Sequence, residues 1–153
     1  MEYTAGGVDA DAAIIYRAPP FQGTMETYMT DAAAPYHAHV YYSPEDRTAA
    51  AALREDFGRH PAILLVGPMI DAPVGPHPIA QYEVHFLRAA VPAVIAMIEK
   101  AGLRALVHPL TDDDLADHTT LAHWIGEPVE LDVTVLDPPG ENKGVPRFGV
   151  SDF

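Results

Sequence analysis

The stretch "PYHAHVYYSPED", residues 35–46, decides how the chain is read. Within it "YHAHVYY" (36–42) alternates and is rich in β-formers, which predicts a first strand. Ser43, Pro44, Glu45 and Asp46 then supply an N-cap, a proline at the first helical position and an acid at N3. A first helix follows through "RTAAAALREDFGRH" (47–60). The strand carries His37 and His39 on one face, and the chain holds six further histidines: His60, His77, His85, His108, His118 and His123.

Outward from that stretch, the pattern repeats. "AILLVGPM" (62–69) is an apolar run bounded by Pro61 and Gly67-Pro68, a second strand. "DAPVGPHP" (71–78) is a turn-rich connection, and "IAQYEVHFL" (79–87) alternates as a third strand. "PAVIAMIEKAG" (92–102) predicts a second helix, with Pro92 in its first turn, Lys100 in its last and Gly102 as its stop. "RALVHPL" (104–110) is a fourth strand. The order β-α-β-β-α-β is the ferredoxin-like split unit, an α+β fold with an antiparallel sheet of order 4-1-3-2 and both helices on one face. "TDDDLADHTTLAHWIG" (111–126) predicts a further helix capped by Thr111, and "PVELDVTVL" (128–136) a fifth strand. Residues 1–34 read as a partly irregular N-terminal extension, 35–136 as one domain, and 137–153 as a Pro/Gly-rich tail.

Composition narrows the chemistry. At 153 residues the chain suits one domain with a real core. It has no cysteine, which excludes disulfides, iron–sulfur clusters and thiol catalysis. Any metal must be held by His, Asp, Glu or water, which favours Fe(II), Mn(II) or Zn(II). A formal charge of −13 repels phosphate backbones and anionic membranes. No stretch reaches the roughly 20 apolar residues of a membrane span. The acidic start lacks the basic region of a signal peptide, so the cytoplasm is the expected location.

Alternation along the strands sorts the histidines. Ala38 and Val40 suit the helix side, so His37, His39 and Tyr41 project from the open face. Gln81, Glu83 and His85 share that face, as does His108 in phase with Leu106. Strands one and three are expected to run parallel, which sets His77, just before strand three, beside the start of strand one. Strand four runs antiparallel to strand one, which brings His108 there too. His37, His39, His77 and His108 then converge, with His118 following shortly after. His60 and His123 read as structural or solvated, and His85 as lying further along its strand. Glu83 or Asp117 could complete a 2-His-1-carboxylate triad, while spare imidazoles offer acid/base groups. The acids at 112–114 are those of a helix first turn.

"YHAHVYY", "PVGPHP", "YEVHF", "LVHPLTDDDLADHTTLAHWIG" and "LDVTVL" together resemble the DOPA 4,5-dioxygenase-like family, in order across residues 35–136. The resemblance implies extradiol cleavage of a catechol such as DOPA by non-haem Fe(II) and dioxygen, giving a ring-opened semialdehyde. It carries over to His37, His39, His77, His108 and His118. On that basis His37, His39 and His108 are expected as metal ligands, with Glu83 or His77 able to replace one. His77 and His118 are expected as acid/base partners. This chain departs from the family in its long N-terminal extension, which could close over the pocket. It also has an Asp after Thr111, where a glycine is common. Two other readings stay open: a non-catalytic ferredoxin-like module binding a small ligand or metal, and a cofactor-free monooxygenase on the same scaffold. A homodimer or higher oligomer is expected, since the open face would leave Tyr41 wet.

Overall fold

The computed structural model describes residue 21 and residues 23–150. Most of the expected N-terminal extension, and the end of the tail, lie outside the described residues. The elements in order are α1 (Met25–Thr30), β1 (Pro35–Tyr41), α2 (Arg47–Arg59), β2 (Ile63–Val66), β3 (Gln81–Leu87), α3 (Val91–Ala101), β4 (Arg104–Pro109), α4 (Asp114–His118) and β5 (His123–Ile125). The sheet has the order β2-β3-β1-β4-β5, so a fifth strand is added beside β4 to the ferredoxin-like arrangement.

One expected direction is wrong. β1 and β3 pair antiparallel, with Pro35 opposite Leu87 and Tyr41 opposite Gln81. The crossover through α2 makes β1 parallel to β2, and β2 pairs antiparallel with β3, so β3 must oppose β1. The start of β3 therefore lies beside the end of β1.

The region after β4 also differs. The helix expected over 111–126 lasts only from Asp114 to His118, with the Asp113 side chain capping the Ala116 N–H. Beyond it, "HWI" pairs with β4, with Ile125 opposite Ala105 and His123 opposite Val107. Aromatic and β-branched side chains favour that pleated edge over a continued helix. With the β4 edge taken, the expected strand over 128–136 has no partner there. It is irregular, with a 3-10 turn at Val133–Val135 capped by Asp132. Within the expected irregular N-terminal segment, residues 25–30 form a short helix capped by Thr24.

The two sheet faces divide as alternation requires. Ala38, Val40, Tyr82, Val84, Phe86, Ala105 and Val107 pack against Ala50, Leu53 and Phe57 of α2 and Val94 and Ile98 of α3. This is the apolar core, and burying it is the main favourable term in folding. α3 stops at Gly102, whose φ of 72° is left-handed, a conformation glycine adopts without a Cβ clash. The opposite face is covered by other parts of the same chain. Tyr41 is buried there, packed with Leu106 and Val129, and its ring stacks on Trp124. The exposed tyrosine that suggested a partner copy is thus covered within the chain.

Gly67 couples the β2 edge to the second face. Its N–H donates to the Glu83 carbonyl at 2.8 Å, and a Cβ built on it would stand 2.8 Å from Glu83 Cγ. Gly58, inside α2, has open space around it. Gly67→Ala should lower stability by about 1–3 kcal/mol through overpacking, while Gly58→Ala should raise it by about 0.5–1 kcal/mol. Urea denaturation of both variants checks the contrast, and an unchanged midpoint for Gly67→Ala contradicts the close approach.

Candidate metal centre on the second sheet face

Register builds the site. His37 of β1 lies opposite His85 of β3 and His108 of β4, and His39 lies opposite Glu83 and Leu106. Side chains directly opposite stand close enough to interact. The His37 and His85 rings stack at 3.9 Å, and the His39 and His108 rings lie nearly parallel with centroids 5.3 Å apart. His85, set aside in the sequence, is therefore inside the cluster, because antiparallel pairing puts it level with His37.

Two more histidines arrive from connections. The segment between β2 and β3 doubles back at Gly75 (φ 52°), with Val74 and His77 exchanging backbone hydrogen bonds. That turn lays His77 on His39, at a ring distance of 4.1 Å, and beside Tyr41. His77 thus reaches the site by a folded-back loop near the end of β1, not by a parallel strand. His118 ends α4 and stands 4.5 Å from the His108 ring. His60 stays at the end of α2, taking the Ala62 N–H, and His123 is exposed on β5.

Hydrogen bonds fix which ring nitrogens carry protons. His39 Nδ1 stands 3.0 Å from Gln81 Oε1, His108 Nδ1 2.7 Å from the Pro109 carbonyl, and His118 Nδ1 2.8 Å from the Asp114 carbonyl. An oxygen without a hydrogen can only accept, so each Nδ1 is the donor, and in the neutral ring each Nε2 presents a lone pair. His39 Nε2 and His108 Nε2 then face each other at 3.2 Å with no proton between them. Two bare lone pairs at that distance repel unless a cation lies beside both. Nitrogens about 2.1 Å from one ion, at angles between octahedral and tetrahedral, stand roughly 3.0–3.4 Å apart. The pair fits such an ion.

Among the described residues, ligand atoms group in three ways within 4.8 Å: His37, His39 and His108; His39, His77 and His118; and His37, Glu83 and His85. The third group is different. The Gly149 N–H donates to His85 Nδ1 at 3.0 Å, which leaves the His85 proton on Nε2, 3.3 Å from Glu83 Oε2. His85 Nε2 therefore carries a hydrogen and is not free to ligate, although it makes no hydrogen bond to the carboxylate beside it. The two remaining groups border a cavity of about 300 Å³, also lined by Asp114, Asn142, Lys143 and Arg147.

Burial sets the charge. It holds His37, His39 and His108 well below the ordinary histidine range, and the neighbouring imidazoles push the same way. Burial with His118 and His108 nearby lowers His77 to about 3. His118 goes the other way: burial alone would lower it, but its bonds to Asp114 outweigh that and raise it.

The sequence singled out all five of the family histidines that meet here. It did not single out Gln81 as a partner of His39, and it missed the tail. Asn142 donates to the Thr111 carbonyl at 2.7 Å and pins that tail. Phe148 lies stacked over His85 and His37. A Pro/Gly-rich segment without periodicity carries no pattern that announces such docking.

Residues 36–135 match the model of the Dopa 4,5-dioxygenase family. The chain belongs to that family. It is 29% identical over 124 residues to a DOPA 4,5-dioxygenase of Amanita muscaria, covering 73% of this chain and 54% of that protein. It is 30% identical over 116 residues to an uncharacterised 21.2 kDa protein of Botryotinia fuckeliana, covering 66% and 62%. The chain thus spans little more than half the length of these curated relatives. The crystal structure of a candidate dioxygenase from Nostoc punctiforme superposes with a TM-score of 0.62 and 36% identity, over 69% of this chain and 93% of that one. No helix among the described residues is long and apolar enough to cross a membrane.

Four buried neutral imidazoles make the metal-free fold sensitive to acid. In the unfolded chain each titrates near about 6.5. Below that pH the unfolded state binds protons that the folded state refuses, so stability falls as pH falls. The loss opens near about 6.5 and continues down toward the His77 value of about 3. Each such histidine contributes up to about 1.4 kcal/mol per pH unit in that window. His118, raised instead, opposes the trend as a single group. Urea midpoints of metal-free protein should drop steeply between pH 7 and pH 5; a flat profile contradicts neutral burial.

Proposed function

We propose that this chain is an extradiol ring-cleaving dioxygenase that opens a catechol such as DOPA to a semialdehyde, using non-haem Fe(II) and dioxygen. The observation that carries the reading is the His39–His108 pair, whose facing lone pairs at 3.2 Å suit a shared cation. Family membership supports the chemistry, and the absence of cysteine limits the donors to imidazole and carboxylate. His37, on the same β1 face as His39, is the third ligand proposed, in a group whose donor atoms lie within 4.8 Å. Bound there, ferrous iron would supply open positions for the catechol oxygens and for dioxygen.

The chain's own residues do the rest. β1 and β4 hold His37, His39 and His108 on rigid, paired backbone, which suits a site that must keep positions open. His77 and His118 face the same cavity and are the proposed proton carriers. His118 keeps its Nδ1 proton on the Asp114 carbonyl, leaving Nε2 to take or return a proton at the substrate. His77 Nδ1 lies 2.7 Å from the Tyr41 hydroxyl, a hydrogen bond that fixes the ring beside the cavity. Burial keeps water from competing for these groups. In overall balance, both atoms of dioxygen enter the product as one ring carbon–carbon bond breaks. The catalytic unit takes in residues 35–136 together with the tail, since Asn142 and Arg147 line the cavity.

His39→Ala and His108→Ala should each lose bound iron and lower catechol-dependent oxygen uptake by at least about 100-fold. His60→Ala, remote from the cluster, should match the wild type. The measurements are iron content and oxygen consumption with DOPA or protocatechuate on folded variants. Iron retained at near wild-type turnover in both site variants places the centre elsewhere, and iron bound without any turnover favours a non-catalytic binding module.

A further inference from the structure

Gln81 opens β3 opposite Tyr41, and its side chain is fully buried on the histidine face. Its Oε1 stands 3.0 Å from His39 Nδ1. Its Nε2 has no hydrogen-bond partner among the described residues. The side chain does not line the cavity. A buried amide with an unsatisfied donor lowers stability, and an apolar side chain of similar length would avoid that. Among the described residues, the one contact that uses the polarity of the Gln81 side chain is the bond to His39.

We infer that Gln81 is a positioning residue: its amide oxygen holds the proton on His39 Nδ1 and so turns the His39 Nε2 lone pair toward His108. The inference rests on the reading of His39 as a metal ligand. Histidine ligands commonly give their second nitrogen's proton to an acceptor, which fixes the tautomer and ring orientation. His108 uses the Pro109 carbonyl for this purpose, a backbone group that no substitution removes. His39 depends on a side chain, and is the one of the facing pair that can be retuned. A neutral acceptor also adds no negative charge to a centre ligated by neutral imidazoles.

Two substitutions separate this role from a structural one. Gln81→Met keeps the length and removes the acceptor. Gln81→Glu keeps an acceptor and removes the donor. In metal-free protein, imidazole nitrogen NMR should find His39 protonated on Nδ1 in the wild type and in Gln81→Glu, and shifted toward Nε2 in Gln81→Met. Fe(II) affinity, measured anaerobically by competition with a chromophoric chelator, should fall about 10–100-fold in Gln81→Met and be retained in Gln81→Glu. The urea midpoint of metal-free Gln81→Met should not drop. Wild-type iron affinity in Gln81→Met, or loss of it in Gln81→Glu with His39 still bearing its Nδ1 proton, overturns the inference. His39→Ala distinguishes the two levels. If it too binds Fe(II) like the wild type, the ligand reading fails; if it alone loses the metal, only the role of Gln81 falls.

Discussion

A neutral imidazole has one proton to give and one lone pair to offer. Buried from water, it must place both within the protein. The second sheet face is arranged around that constraint. His39, His108 and His118 give their Nδ1 protons to oxygens and turn their lone pairs inward. His85 receives a backbone N–H on Nδ1, which leaves its proton on Nε2, near Glu83 but not hydrogen-bonded to it. Neighbouring rings therefore present opposite chemistry. Five imidazoles border the cavity as possible donors of electron pairs, while His85, stacked on His37, has its Nδ1 lone pair taken by a backbone N–H.

Such a face is expensive in stability, and the other face of the same sheet offsets it. Ala38 and Val40 alternate with His37, His39 and Tyr41, so every ligand position is flanked by residues sunk into the apolar core. The backbone that carries the imidazoles is thereby fixed by hydrophobic burial and by ladder hydrogen bonds on both sides of β1. β1 is central, with β3 and β4 as direct neighbours. One strand thus contributes two rings, and its partners complete the face without any long-range adjustment of loops.

Much of this was legible because it depends on period. Alternation in "YHAHVYY" and "YEVHF" identified the strands and the face of each side chain, and Gly102 marked the end of α3 correctly. What failed depended on information that period does not contain. Period says nothing about strand direction, so β3 was turned the wrong way and His85 was placed too far from His37. "TDDDLADHTTLAHWIG" has helical composition at its start, but a free sheet edge beside β4 drew "HWI" into pairing. "PVELDVTVL" has strand composition and found no edge left. His77 comes beside His39 through the turn at Gly75, which reverses the connection, and not through a parallel strand.

The tail shows how a segment without secondary-structure signal can still determine a site. Asp117 is its anchor. The carboxylate accepts the Thr111 N–H at 2.9 Å, the Thr111 hydroxyl at 2.6 Å and the Asn142 amide at 3.3 Å. Burial pushes it up to about 7, against the Thr111 hydrogen bonds that favour its ionised form. Three donors converging on one buried acid tie together the segment after β4, the helix that carries His118, and the tail that covers His37 and His85. His108 is held by β4, His118 by α4 and the ring over His37 by the tail, so the geometry of the cavity depends on how these three segments meet. As a carboxylate near the histidines, Asp117 has the chemistry of a metal ligand. Its oxygens are directed instead at backbone, hydroxyl and amide donors, and it acts on the imidazoles by fixing the segments that carry them.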